Sequence, residues 1–462
     1  MTRPIRPEIS AEFVEKYNTA GPRYTSYPTV PAWKQEFGET QYREALNELA
    51  ERPDDELAIY LHVPFCAKAC HYCGCNMLVT REKGEVGRYL DRLEQEVARV
   101  TGLIGTGRRV VQFHWGGGTP NYLKNDEVER VLKMFADAFD IAPDAEVSLE
   151  VDPRIANADQ VGFLREAGFN RISLGVQDFE KSVQENIGRM QSREKTLAIY
   201  QACRDAGFPG VNLDLVYGLP GQTAESFRET LTGVIDLAPD RVACFSYAHV
   251  PWVRPNQEVI DTTIMAKGYD KFQLFRLTVD SFQERDYTWI GIDHFAKKDD
   301  ELSVALENRA LHRNFMGYAT KPAPHMLAFG MSGIGDVCDR FVQNDATYDG
   351  WSQKVDAGGL PIVKGHKLSA DDKLRRLAIL NVMCNLELPW ELTRAAYGKP
   401  ADELFSDSLK ALPPLIEDGL VTRDDFGLRI TDKGRYFVRN VAMILDAYLG
   451  DPTDKPIFSK TV

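Results

Sequence analysis

The sequence predicts an α/β protein whose main body is a partial (β/α) barrel of about six β/α units. Two features carry that prediction. Short apolar runs alternate with longer amphipathic segments between about 58 and 290, and several of the apolar runs are polar on one face only. An arm precedes this body, and a mostly helical, winged-helix-like domain follows it. The expected boundaries are 1–45 for the arm, 46–365 for the catalytic domain and 366–462 for the C-terminal domain.

Taken in chain order, the strand candidates are "AIYLHV" (58–63), "RVVQFHW" (109–115), "EVSLEV" (146–151), "NRISLGV" (170–176), "GVNLDLVYG" (210–218) and "RVACFSY" (241–247). Helical segments fall between them: "VGRYLDRLEQEVARV", "NDEVERVLKMFADAF", "ADQVGFLREAG", "EKTLAIYQACRDAG" and "TAESFRETLTGVIDLA", several with a Gly or Pro stop close behind. Side chains alternate faces along a strand, so Val147, Leu149 and Val151 share an apolar face while Glu146, Ser148 and Glu150 share the other. The same split pairs Tyr60 with His62, Gln112 with His114, Arg171 with Ser173, and Asn212 with Asp214. Helices covering the apolar faces would enclose a polar interior, which points to a closed or partly closed barrel around a reaction cavity, with an open sheet as the alternative. From about 366 the pattern changes to helices and a short hairpin within "DGLVTRDDFGLRITDKGRYF" (418–437). Residues 401–440 hold eight acidic and six basic side chains, so this module has no footprint for a phosphate backbone and reads as a supporting or lid domain.

A length of 462 residues suits one large catalytic domain with a smaller companion. The 44% hydrophobic and 27% charged content is that of a soluble globular chain. No apolar run reaches the roughly 18 to 20 residues of a membrane span, and "MTRPIRPEIS" lacks a signal-peptide core, so a cytoplasmic protein is expected. The net charge of −13 disfavours nucleic acid and anionic membrane as partners, and it requires local arginines or lysines for any anionic substrate.

Of eight cysteines, Cys203, Cys244, Cys338 and Cys384 are scattered and read as small core residues. Cys66, Cys70 and Cys73 form C-x3-C-x2-C directly after the first strand, with Cys75 two residues on. Zinc is one reading, although no second Cys/His pair of suitable spacing follows, and plain redox thiols are another. An iron–sulfur cluster is the strongest, because soft thiolates gathered on one loop suit iron and sulfide. Four thiolates would close a four-iron cluster, whereas three leave one iron open. The run "GGGTP" (116–120) at the end of the second strand lets backbone N–H groups approach a carboxylate.

The cysteine loop, with Tyr72 before its third cysteine and "GGGTP" after the second strand, resembles the radical S-adenosylmethionine (SAM) superfamily. Within it, "GPRYTSYPT" (21–29), "PFCAKACHYCGCN" (64–76), "HWGGGTPNYL" (114–123), "EVDPR" (150–154), "LGVQDF" (174–179), "DLVYGLPGQT" (214–223), "YAHVP" (247–251), "GIDHFA" (291–296) and "LHRNFMGYAT" (311–320) resemble the oxygen-independent coproporphyrinogen III oxidase family. The resemblance implies a radical-SAM-type barrel and a [4Fe–4S] cluster held by Cys66, Cys70 and Cys73, with Cys75 present but not a ligand. It further implies that Tyr60, Gly117, Glu150 and Ile334 contact cluster-bound SAM. A second SAM would be touched by Tyr72, Gly118, Thr119, Gln177, Arg189, Asp214 and Ala248. Glu150 suits an ammonium or ribose partner on its own account, being a carboxylate at a strand end, and Asp214 within an apolar strand requires a buried partner.

The implied reaction is oxidative decarboxylation of two propionates of coproporphyrinogen III to vinyl groups by a 5′-deoxyadenosyl radical, giving protoporphyrinogen IX. A low-potential electron donor and an electron acceptor of unknown identity would serve it, with the chain a monomer. A related haem chaperone without decarboxylase activity is the alternative, although such relatives typically lack Cys75 and the "PRYTSYPT" arm. Arg23 in that arm is the candidate substrate anchor, since arginine grips carboxylates bidentately. His62, His114, His249 and His294 lie at or near strand ends, as proton donors or as structural histidines.

Overall fold

A computed structural model describes residues 6–80, 82, 84–321, 323–449 and 458–461, so the first five residues of the expected arm and Pro322 lie outside it. All six expected strands form: β1 (Leu57–Val63), β2 (Arg108–Gly117), β3 (Phe139–Val151), β4 (Arg171–Gln177), β5 (Gly210–Tyr217) and β6 (Arg241–Ser246). Each pairs in parallel with the next, in sequence order. Parallel neighbours need a crossover, and helices Glu85–Ile104, Asn125–Ala138, Ala158–Glu166, Arg193–Asp205 and Ala224–Asp236 supply it. The order from β1 to β6 is open, so the barrel is partial.

Local chemistry explains why the helices begin and end where they do. Glu85–Ile104 buries Tyr89, Leu90, Leu93, Val97, Val100 and Ile104 on one stripe, then stops at Gly105, whose φ of +84° is left-handed and whose N–H closes onto the Thr101 carbonyl. Asn157, Ser192 and Thr223 cap the later helices by accepting from backbone N–H groups three residues on.

The one-sided polarity read from the strands is present. In β4, Ile172, Leu174 and Val176 are buried while Arg171, Ser173, Gly175 and Gln177 are half-buried. The polar side chains bond across neighbouring strands: Gln112 Nε2 donates to Glu146 at 3.2 Å, His114 Nδ1 lies 2.8 Å from Ser148 Oγ, and Arg171 Nε pairs with Glu146 at 2.5 Å. An inner face satisfied in this way avoids the desolvation cost of unpaired polar groups.

Beyond β1 the sheet continues where no strand was expected. His325–Phe329 pairs in parallel with β1, and Ile334–Val337, Arg340–Asn344 and Ile362–Lys367 extend it antiparallel. Two of these, His325–Phe329 and Arg340–Asn344, are buried at every position, so they lack the alternation that marks a half-exposed strand.

The chain divides into two compact units, Trp33–Met265 with Lys321–Lys367, and Met1–Ala32 with Ala266–Thr320 and Leu368–Val462. The first holds the partial barrel. In the second, one apolar cluster joins Val14, Tyr17, Tyr24 and Tyr27 of the arm to Ile379, Val382 and Phe437 near the C-terminus. The hairpin expected within 418–437 is Val421–Arg423 with Gly427–Ile430, and Glu387–Pro389 adds a third strand to it. Among the described residues no helix is long and apolar enough to cross a membrane.

Candidate active site

The loop after β1 begins on an aromatic anchor. Phe65 is fully buried, its ring edge-on to Tyr89 at 5.4 Å, and burying such a side chain stabilises by about 3 kcal/mol. The Cys66 N–H donates to the Leu78 carbonyl at 3.0 Å, and Leu78 N–H donates to Pro64 at 2.7 Å, which closes the base of the loop. His62 fastens its far end: Nε2 lies 2.8 Å from the Asn76 carbonyl, so Nε2 carries the proton, and Nδ1 accepts from the Tyr60 hydroxyl at 3.1 Å. Burial lowers the His62 pKa to about 4, so the ring is neutral.

This loop and the C-terminal ends of β2 to β6 enclose a cavity of about 630 Å³. Cys66, Cys70, Cys73 and Cys75 line it. Each of the first three sulfurs has a polar hydrogen nearby. Thr119 Oγ1 is 3.3 Å from Cys66 Sγ, and Cys75 N–H points to Cys73 Sγ at 3.4 Å. Arg154 and Arg189 donate to Cys70 Sγ at 3.6 and 3.7 Å. Burial pushes the Cys66 thiol up to about 11, whereas hydrogen bonding from Cys75 brings Cys73 down to about 7. Among the described residues no three His, Cys, Asp or Glu side chains converge to hold a single metal ion. Three thiols gathered on one cavity wall, each with a polar group beside its sulfur, are soft ligands of the kind an iron–sulfur cluster takes.

The remaining expected residues divide into three groups. Gly117, Gly118, Thr119, Glu150 and Gln177 line the cavity from β2, β3 and β4. Tyr72, Arg189, Asp214 and Ala248 line it from the cysteine loop, the segment after β4, and the ends of β5 and β6. Tyr60 and Ile334 are not among the lining residues, although Tyr60 stacks on His114 at 6.0 Å and has its pKa raised by burial and then by the Glu150 charge. Arg23 belongs to the other compact unit, where its guanidinium is engaged by the buried Asp293. His294 is also in that unit, and His249 follows β6 with Nδ1 3.0 Å from the Tyr247 hydroxyl.

Asp214 finds the partners that its strand position requires. Ser173 Oγ donates to one oxygen at 2.8 Å, and Asn212 Nδ2 donates to the other at 2.7 Å. Arg189 Nη2 donates both to Asp152 at 3.1 Å and to the Gly175 carbonyl at 2.8 Å, and its Nε is a buried donor with no acceptor among the described residues. Gln177 takes a left-handed φ of +67°, which turns the chain at the mouth of the cavity. The glycines have a packing role of their own. A Cβ on Gly117 would lie 2.7 Å from the His62 ring, and one on Gly118 would lie 2.4 Å from the Pro64 carbonyl oxygen.

Two functional groups were missed in the sequence. Asp152 and Arg154, inside the "EVDPR" motif, form with Arg189 a buried ion cluster against Cys70, and the arginines hold the Asp152 carboxyl below its ordinary range. Asn256 and Gln257 clamp the cysteine loop through its carbonyls. Asn256 Nδ2 reaches the carbonyls of Cys70, His71 and Cys73 at 3.1, 3.2 and 2.9 Å, while Gln257 Nε2 donates to Tyr72 at 2.9 Å. The motif spacing could have flagged the first group. Nothing local marked the second.

A profile of the radical SAM superfamily matches residues 60–232, and one of the HemN C-terminal domain matches 368–437. The oxygen-independent coproporphyrinogen III oxidase of Synechocystis sp. is 40% identical over 459 residues, covering 98% of each chain. That of Escherichia coli is 41% identical over 449 residues, covering 97% of each. The solved structure of the Escherichia coli coproporphyrinogen III oxidase, described as a radical SAM enzyme, matches with a TM-score of 0.90 at 40% identity, over 96% of this chain and 99% of that one. Fold and cysteine loop together define a radical SAM protein, the class whose cofactors are a [4Fe–4S] cluster and SAM. The chain belongs to the oxygen-independent coproporphyrinogen III oxidase family, a family of oxidoreductases.

Proposed function

We propose that this protein converts two propionate side chains of coproporphyrinogen III to vinyl groups without oxygen. The supporting observation is near-complete coverage of relatives named for that activity, joined to a cavity whose wall carries three thiols at C-x3-C-x2-C spacing. Each event removes one hydrogen atom from the carbon β to the carboxylate, releases CO2 and gives up one electron, which balances propionate against vinyl.

In this reading Cys66, Cys70 and Cys73 hold the cluster, while Tyr60, Gly117, Glu150 and Ile334 serve the SAM bound to it. Tyr72, Gly118, Thr119, Gln177, Arg189, Asp214 and Ala248 serve a second SAM. When bound, cluster and SAM supply one-electron, hydrogen-abstracting chemistry. The chain's own contribution is placement and exclusion. Asn256 and Gln257 hold the cysteine loop in one conformation, Arg154 and Arg189 donate to the Cys70 sulfur, and His62 pins the loop end as a neutral donor. Glu150, whose Oε2 accepts from Gly117 N–H at 3.3 Å, presents a carboxylate suited to an ammonium group. We read the chain as a cytoplasmic monomer served by a low-potential electron donor and a separate acceptor, the donor and acceptor following from the one-electron balance of the proposed reaction.

The test is anaerobic incubation of reconstituted protein with coproporphyrinogen III, SAM and a strong reductant, followed by mass analysis of the tetrapyrrole. Loss of two CO2 per molecule is expected. SAM cleavage with no vinyl product would refute the proposal.

A further inference from the structure

The cavity wall is electrostatically uneven. Its carboxylates are Glu150 and Asp152 at the end of β3 and Asp214 within β5: Glu150 accepts from Gly117 N–H, Asp152 is matched by Arg154 and Arg189, and Asp214 is held by Ser173 and Asn212. In the turn after β6, Arg254 lines the same cavity, half-buried, and among the described residues its guanidinium has no ion pair or hydrogen bond. The only other such cation on the wall, Lys68, is exposed.

The surroundings of Arg254 are apolar and open. Phe245 and Val253 line the cavity yet are 37% and 56% exposed, and the neighbouring Trp252 is 64% exposed. Single exposed apolar residues need no explanation, but several around an unpaired guanidinium at a cavity mouth match a ligand with an apolar body and an anionic rim. The turn is also fixed in place. Arg254 N–H donates to the Val250 carbonyl at 2.9 Å, and the next residues but one, Asn256 and Gln257, are tied to the cysteine loop. A carboxylate gripped by Arg254 is therefore held at a set distance from the loop that carries the three cysteines.

We propose that Arg254 anchors the substrate, its guanidinium taking a propionate carboxylate of the tetrapyrrole while Phe245 and Val253 lie against the macrocycle. This inference rests on the decarboxylation reading above and names the residue that orients its substrate. It also answers the requirement that a chain of net charge −13 provide a local cation for an anionic substrate.

The test compares reconstituted full-length wild type, Arg254→Ala and Arg254→Lys. KM and kcat for coproporphyrinogen III are measured together with SAM affinity by equilibrium dialysis and iron content. Fluorescence titration with coproporphyrin III, the stable tetracarboxylate, reads binding without turnover. Arg254→Ala should raise KM and the coproporphyrin dissociation constant about tenfold or more, with Arg254→Lys recovering part of the loss and SAM affinity and iron content staying within about twofold. Unchanged KM and coproporphyrin binding in Arg254→Ala, or a parallel loss of SAM affinity, would overturn the proposal. A wild type that cleaves SAM but forms no vinyl product defeats the reaction reading instead, and the coproporphyrin titration then decides the anchor by itself.

Discussion

Asn256 is the residue whose removal most directly tests how the cysteine loop is held. Its Nδ2 carries two hydrogens and faces three carbonyls, those of Cys70, His71 and Cys73, at 3.1, 3.2 and 2.9 Å. Two hydrogens can make about two full bonds, and each protein hydrogen bond has a net value of about 0.5–1.5 kcal/mol, so Asn256→Ala should favour loop opening by about 2 kcal/mol. That corresponds to about thirtyfold in the opening equilibrium. The assay is the rate of iron transfer from anaerobically reconstituted protein to a ferrous chelator. Release should accelerate by about that factor, while the thermal midpoint of this large chain moves by only a few degrees. Asn256→Asp should be worse, because a carboxylate cannot donate to the carbonyls. Release within twofold of wild type, from a protein with an unchanged thermal midpoint, would show that the clamp contributes nothing to holding the loop.

Three further outcomes follow from the geometry. In Gly118→Ala the new Cβ starts 2.4 Å from the Pro64 oxygen, against 3.4 Å for ordinary contact, so backbone must retreat by about 1 Å; a loss of about 3 kcal/mol in urea unfolding is expected, and an unshifted midpoint would refute it. His62 has a folded pKa of about 4, below its unfolded value of about 6.5, so its contribution is fully present above 6.5 and is lost as pH falls toward 4. The loss amounts to about 3 kcal/mol, and His62→Gln should flatten the pH dependence of unfolding in that window; an unaltered profile would count against a buried neutral ring. Asp152→Asn removes the carboxylate between Arg154 and Arg189, leaves two partly or fully buried guanidiniums beside Cys70, and should cost about 3 kcal/mol in thermal unfolding of the cluster-free protein. A wild-type midpoint in that variant would mean that the ion cluster is solvated after all.

Much of the site was legible because its parts are local. Three thiols within eight residues, a glycine run ending β2 and a carboxylate ending β3 are each visible in a short window, and parallel β/α order brings successive strand ends together. Asp214 shows how far such reading goes. Its place in an apolar strand required a partner, but Ser173 lies one strand away, 41 residues back, and only pairing of β4 with β5 brings it near. Arg23 shows what the sequence leaves out. Its chemistry as an arginine in an arm is legible, but the Asp293 that meets its guanidinium stands 270 residues on.

The sequence by itself determined the β/α alternation, the polar inner face and the thiol loop, because side-chain period and ligand spacing act over a few residues at a time. Only the tertiary structure decided which amides clamp that loop, which cavity-lining arginine has no partner among the described residues, and that the sheet runs on through His325–Phe329. Those outcomes depend on groups more than a hundred residues apart meeting within about 3 Å, and no local pattern of hydrophobicity or charge specifies such a meeting.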